Sequence, residues 1–333
     1  MKAVVVGAGG ISGAWFPNLA AEGVEVVGIV DLNRDAAKEK AKQYGLKPFI
    51  STNLKSAIRK TQPDFVVDLT IPDAHCKVTC TALGMGCHVI GEKPMAASMK
   101  EARKMVKAAE DAKKIYMVSQ SRRYDVKNEA IARFLREGRL GHLTTMNCAF
   151  YLGAHFGGFR DVMDSPLILD MSIHHFDMAR MMGGVDPVSV YAHEFNPYGS
   201  WYKGKVAASC IFEMANGVVF TYAGSWCAEG MHTGWHGDWR IIGDKGTVIY
   251  EREQTPTGEL VAGNEGFTRP KEAFTIPDVS VAVGQRGAIK ELLAAIQGGP
   301  APQGECHDNI KSLAMVFAAV ESAKKGKKVE VKW

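Results

Sequence analysis

The feature that most constrains this chain lies at its start. The apolar run Ala3-Val4-Val5-Val6 passes at once into Gly7, Ala8, Gly9, Gly10, Ile11, Ser12 and Gly13, and then into a helical pattern. A strand that turns into a helix over so few residues needs backbone angles that side chains oppose, and glycine relieves that opposition. The same turn leaves the amino end of the helix bare, where backbone N–H groups and the helix dipole favour a phosphate. A strand, glycine turn and helix in this order open a βαβ series, which predicts a parallel sheet flanked by helices.

The rest of the first half continues that series. β-rich runs at residues 2–7, 25–31, 64–70, 87–91 and 115–119 alternate with helical patterns that start near Ile11, Asp35, Leu54, Ala74 and Ser98. Residues 1–121 are therefore expected to form one doubly wound, dinucleotide-binding α/β domain. From residue 122 the rhythm changes: a helix to about Glu137, a turn at residues 138–141, a strand near 144–151 and a helix around 167–182. Strand pairs follow at 206–214 with 218–226, around Asn216-Gly217, and at 239–242 with 247–250, around residues 243–246. Ile310, Leu313, Ala314, Phe317 and Val320 mark a late amphipathic helix, and residues 328–332 a last strand. The expectation is a second, α+β domain over residues 122–333 with a largely antiparallel sheet, its final strand returning towards the first domain.

Composition narrows the partners. With 333 residues, 46% hydrophobic and 23% charged, the chain has the make-up of a globular protein with room for two domains. A net charge of +4, with lysines scattered along helical faces, speaks against nucleic acid. Apolar stretches are short and interrupted, and the first residues lack a basic region, apolar run and cleavage site, so a cytoplasmic protein without a membrane span is expected. Seven cysteines is an odd count, and His75, Cys76, Cys80, Cys87 and His88 lack paired Cys-x-x-Cys knuckles. They read as small apolar thiols and ordinary histidines, with no metal.

Three segments carry chemistry. Gly7 and Gly9 fit a pyrophosphate-binding turn, Ser12 occupies the third glycine position, and Gly10 and Ile11 complete the loop. Asp31 ends the second strand, where a carboxylate accepts hydrogen bonds from ribose hydroxyls; that favours NAD, while nearby Arg34 leaves NADP open. A tight turn plus a helix-capping aspartate is the plainer alternative. Lys93 follows an apolar strand and Glu92, and precedes Pro94, at the end of a strand where ligands of open parallel sheets sit. A lysine there can hydrogen-bond a reacting oxygen. Asp170 and His174 are four apart in a helical pattern and so share a face; His174 is suited to accept a hydroxyl proton and Asp170 to orient it. Adjacent His175 points elsewhere, which argues against a metal, and a histidine satisfied inside an interface is the structural alternative. Tyr151, His155, Arg160, Trp201, Tyr202, Trp226, Trp235, His236 and Asp238 supply the flat faces and polar groups that suit a sugar or cyclic polyol, with Arg160 and His236 favoured over sheet core.

On these segments the sequence resembles the glucose-fructose oxidoreductase and inositol dehydrogenase family (Gfo/Idh/MocA) over nearly its whole length. The resemblance implies a Rossmann domain and a carboxy-terminal domain whose open sheet makes homodimers or homotetramers. It implies Lys93, Asp170 and His174 as catalytic trio, with Thr70, Pro72, His75 and Glu92 on the cofactor side; Arg122, Arg123 and Tyr124 stand where members contact nicotinamide or substrate, surface residues at a helix start being the equal alternative. Tyr151, Arg160 and His236, from the aromatic and polar set above, are the further candidate substrate contacts. The chain departs from the family at Ser12 and at Asp164-Ser165-Pro166-Leu167, where many members carry consecutive glycines. The expected activity is NAD(P)-dependent oxidation of a secondary alcohol of a sugar, sugar derivative or cyclic polyol. An NAD-dependent glycosidase and a non-catalytic dinucleotide sensor are the competing classes.

Overall fold

Four of the five residues of β1 (Lys2–Val6) are buried, as in a strand covered on both faces. It is followed by α1 (Ser12–Ala21), β2 (Glu25–Val30), α2 (Arg34–Gln43), β3 (Phe49–Ser51), α3 (Leu54–Thr61), β4 (Phe65–Asp68), α4 (Pro72–Gly84), β5 (His88–Glu92), α5 (Met99–Ala112) and β6 (Tyr116–Ser119). The six strands are parallel in the order β3-β2-β1-β4-β5-β6. The order reverses between β1 and β4, so the ligand crevice of such a sheet lies at the carboxyl ends of these two strands. Helix starts follow local chemistry: Asn33, Asn53 and Ser98 accept backbone N–H groups as caps, and Pro72 begins α4, where no N–H is needed. All five expected strands are present. β3 was not expected, because a three-residue edge strand offers too little alternation to read.

A helical turn at Ser121–Tyr124 leads to α6 (Val126–Arg136), β7 (Leu143–Tyr151), α7 (Ile173–Gly183), β8 (Pro187–Phe195), β9 (Ala207–Met214), β10 (Val219–Ser225), β11 (Asp238–Gly243), β12 (Gly246–Tyr250), β13 (Thr257–Val261), β14 (Lys271–Thr275), α8 (Gln285–Ile296), α9 (Cys306–Lys325) and β15 (Val329–Glu330). The nine-stranded second sheet runs β14-β13-β12-β11-β7-β10-β9-β8-β15 and is antiparallel except where β7 meets β10. One face is buried. There Phe176 of α7 packs edge-on to Phe212, 4.8 Å between ring centres, and to Phe220 and Tyr222. Each such buried aromatic side chain contributes ~1.5–3 kcal/mol. Both expected hairpins form, although the Asn216-Gly217 turn is wider than two residues: Met214 N–H donates to Val218 O (2.8 Å), with Asn216 at φ +61° and Gly217 at φ +78°.

The computed structural model describes residues 1–333 and falls into two units, Met1–Tyr124 with Val281–Leu313, and Asp125–Ser280 with Ala314–Trp333. The division thus differs from a single cut after residue 121. The segment that returns to the first unit is the one holding α8, whose Ala288, Ile289 and Leu292 join the core of Trp15, Phe16, Leu19 and Tyr124. The final strand does not return: β15 pairs with β8 in the second sheet. No helix is long and apolar enough to cross a membrane.

Candidate active site

Gly7 sits at φ +99°, and a Cβ there would lie 2.7 Å from Leu69 O, so the β1 end admits only glycine. Gly9 and Gly10 are different. Both are exposed, and a Cβ on either would meet nothing within 4 Å, which leaves their backbone open to an approaching group. Ser12, fully buried, turns its hydroxyl inward to donate to Gly9 O (2.7 Å) and braces the loop from beneath. The first turn of α1 has no side-chain cap and no acidic residue, as an anion site requires. Asp31 Oδ2 accepts the N–H of Ala8 (2.7 Å) and Oδ1 that of Asn33 (2.7 Å), and each oxygen keeps a lone pair for a further donor. Arg34 is exposed at the start of α2. Ile11, Leu32 and Ile71 stand 43%, 93% and 67% exposed beyond the carboxyl ends of β1, β2 and β4. Leu32 and Ile71 were not anticipated; the signal was a lone apolar residue in a polar turn after a strand. This loop fits a dinucleotide.

At the end of β4 a carboxylate that the sequence did not single out organises two residues that it did. Asp68 is fully buried and accepts from Thr70 Oγ1 (2.6 Å) and Thr79 Oγ1 (3.3 Å), with His75 Nδ1 at 3.2 Å. His75 is therefore buried, and its Nε2 has no hydrogen-bond partner. Pro72 is half-buried at the first turn of α4. At the end of β5, Glu92 accepts Trp15 Nε1–H (2.8 Å) and the backbone N–H of Lys93 (3.2 Å), which ties α1 to the turn carrying Lys93. Lys93 is half-buried and its peptide bond to Pro94 is cis.

Arg123 was expected on the substrate side. In the structure it is 6% exposed, pairs with Asp308 (2.8 Å) and donates to Gln303 O, while Tyr124 donates to Glu291 (2.7 Å). These contacts fasten the returning segment to the first unit, a demand no local pattern reveals.

In the second unit, Asp170 lies in a wide π-helical stretch, Leu167–Ser172, that runs into α7. Asp170 and His174 are partly exposed while Met171, Ser172 and Ile173 between them are buried, so the two share the open side of the segment. Arg160 Nε lies 2.6 Å from Asp170 Oδ2, and its guanidinium rests 5.0 and 4.7 Å from the ring centres of Phe156 and Phe159. A charge-assisted bond on an aromatic platform fixes the carboxylate's direction. Nearby, His155 stacks on Trp201 at 3.7 Å and pairs with Glu229 (3.1 Å).

Three further residues of this unit have partners of their own. His175 is buried against Phe150 and Tyr222, with Nε2 3.3 Å from Trp235 O. His236 Nδ1 is held among Tyr250 Oη (3.3 Å), Asn128 Nδ2 (3.4 Å) and Asp125 Oδ1 (3.8 Å) at the start of α6. Tyr151 follows Phe150 in a strand that alternates, so the pleat carries it to the face opposite the one α7 covers.

Glu305, Cys306 and His307 bring metal-type donors within 4.8 Å of one another. Here Glu305 caps α9, accepting from the backbone N–H of His307 (2.8 Å), and both Glu305 and Glu110 hydrogen-bond the His307 ring. Those carboxylates, Glu110 first, raise the His307 pKa and favour an imidazolium over a metal ligand. Burial likewise pushes Cys80 up to about 11 and raises Cys87, keeping both as thiols.

Comparison with known proteins agrees with this geometry. Residues 1–120 match the family model Gfo/Idh/MocA, an oxidoreductase family with an NAD-binding Rossmann fold, and residues 129–249 match the model of the Gfo/Idh/MocA C-terminal domain. The 1,5-anhydro-D-fructose reductase of Ensifer adhaerens is 25% identical over 98% of this chain and 97% of its own length. The inositol 2-dehydrogenase of Rhizobium meliloti is 26% identical over 92% and 91%. An oxidoreductase from Agrobacterium radiobacter, crystallised with NAD+, L-tartaric acid and magnesium, shares the fold at a TM-score of 0.86 and 21% identity, covering 99% of this chain and 98% of that one.

Proposed function

The chain belongs to the Gfo/Idh/MocA family of oxidoreductases, and from that premise we propose that it is an NAD(P)-dependent dehydrogenase of a secondary hydroxyl in a sugar, sugar derivative or cyclic polyol, with NAD preferred. The observation that carries this reading is the bare glycine loop joined to Asp31 by the Ala8 hydrogen bond, so that a pyrophosphate cradle and a ribose acceptor form one piece. The substrates named for the relatives, a sugar ketone and an inositol, support the class.

A nicotinamide dinucleotide, when bound, supplies the hydride acceptor for oxidation or the donor for reduction. Gly7, Gly9, Gly10, Ile11 and Ser12 would hold its pyrophosphate and Asp31 its adenosine ribose, with Thr70, Pro72, His75 and Glu92 shaping the strand ends beside it. His174 is proposed to accept the proton of the substrate hydroxyl, with Asp170, steered by Arg160, to orient the donor, and Lys93 is proposed to hydrogen-bond a reacting oxygen. The uncovered face of the second sheet is the proposed homodimer or homotetramer surface, and the cytoplasm the proposed compartment.

Replacing Lys93 or His174 by alanine is expected to lower turnover about 10²–10⁴-fold while NAD affinity stays nearly unchanged, since neither side chain is assigned to hold the pyrophosphate or ribose. Titration calorimetry beside steady-state kinetics checks both halves. Unchanged turnover in either variant would remove that residue from the mechanism.

A further inference from the structure

Glu194 is a carboxylate on the buried face of β8, 6% exposed, in a sheet whose other inward residues are apolar or small. One of its oxygens, Oε2, accepts the hydroxyl of Ser165 (3.1 Å); the other, Oε1, is buried without a hydrogen-bond partner. Ser165 is itself buried, and its carbonyl accepts Leu169 N–H (3.0 Å), the first bond of the helical segment that carries Asp170. The same residue therefore starts the segment through its backbone and ties it to the sheet through its side chain. The loop before β9 backs the junction: Lys203 N–H donates to Asp161 O and Lys205 N–H to Asp164 O, both at 2.8 Å. Between them Gly204 passes so close that a Cβ would lie 1.9 Å from Met163 O.

We propose that Glu194 and Ser165 form a latch that positions the segment bearing Asp170 and His174, and that the latch holds most firmly when Glu194 carries its proton. Glu194 is a positioning residue: it touches Ser165 and acts through it. The groups that face it are Ser165 at the head of the segment, Lys205 before β9, Cys210 on β9 and Lys324 on α9. Burial pushes its pKa up from 4.5 to about 7, against the pull of the Ser165 hydroxyl and the two lysines. A carboxyl group whose pKa is higher with the latch closed than when opened to water favours closure below the opened value. That contribution is fully present below about 4.5 and is lost as the pH rises through about 7. The inference rests on the proposed roles of Asp170 and His174 for its catalytic consequence, while the latch itself can be read without turnover.

The test is amide hydrogen exchange of residues 165–172 in the full-length protein between pH 5 and pH 8.5, corrected for the intrinsic exchange rate. The expected result is a loss of protection of about tenfold or more through pH 7 in the wild type, none in Glu194→Gln, and in Ser165→Ala, which removes the latch's own hydrogen bond, protection below pH 7 lowered towards the level the wild type shows at high pH. Should Glu194→Gln fold poorly, the lowered protection in Ser165→Ala decides. Equal pH dependence in wild type and Glu194→Gln, or wild-type protection below pH 7 in Ser165→Ala, overturns the latch. The pH profile of kcat is expected to show the same step in the wild type and to lose it in Glu194→Gln. A step in exchange without one in kcat leaves the latch standing and counts against the assignment of Asp170 and His174 to the chemistry.

Discussion

Asp31 serves two partners with one carboxylate. It clamps Ala8 of the glycine loop and Asn33 at the head of α2, and it keeps lone pairs for a ribose. Hydrogen bonds to a charged acceptor are worth about 1.5–3 kcal/mol each. Asp31→Ala is therefore expected to weaken NAD binding by about tenfold to a hundredfold. NADP, whose 2′-phosphate the carboxylate repels and Arg34 attracts, should lose less. Calorimetric titration with each dinucleotide measures both, and a larger loss for NADP would mean that Asp31 does not face the ribose. Asp31, Lys93, Asp170 and His174 stand out as candidates because reactive residue types occupy strand ends or helical spacing. Asp68 and Glu194 were not, because the burial that makes a carboxylate consequential is a property of the folded contacts. Arg160 stands out as a candidate pocket residue, but its pairing with Asp170 spans a loop whose path no pattern fixes.

Elements show the same division between local and distant causes. The glycine turn, the capped helices of the first unit and both hairpins of the second followed from local residue chemistry. β8, β13, β14 and α8 went unread: β13 and β14 alternate weakly between exposed and half-buried positions, and α8 owes its place to the Trp15 and Leu19 side chains far from it in sequence. Glycines separate structural from ligand-facing turns in a testable way. Gly204→Ala would drive a methyl group into the Met163 and Asp164 carbonyls, where backbone cannot yield. The expected cost is about 1–3 kcal/mol, a fall in Tm of roughly 2–10 °C for a chain of this size. Gly9→Ala meets nothing within 4 Å and should leave Tm almost unmoved while weakening NAD binding. Thermal unfolding of both variants decides; a stable Gly204→Ala protein would show that this loop is not pressed against the Asp170 segment.

For the whole molecule, the sequence conveyed two domains of the right classes and placed the dinucleotide loop in the first. It did not convey that Val281–Leu313 belongs with Met1–Tyr124, because membership of a unit is decided by packing and not by order along the chain. The family models show an oxidoreductase of the Gfo/Idh/MocA family, and the activity proposed for it is reversible hydride transfer between a nicotinamide dinucleotide and a sugar-like secondary alcohol. The most direct measurement is to incubate the purified protein with NAD and, separately, NADP, offer a panel of sugars, sugar acids and inositols, and follow the absorbance of the reduced nicotinamide. Net reduction with at least one compound, faster with NAD than with NADP, is the predicted result. Clear dinucleotide binding with no net reduction by any compound would contradict it, and would point to a glycosidase that oxidises its substrate only transiently or to a sensor that performs no chemistry.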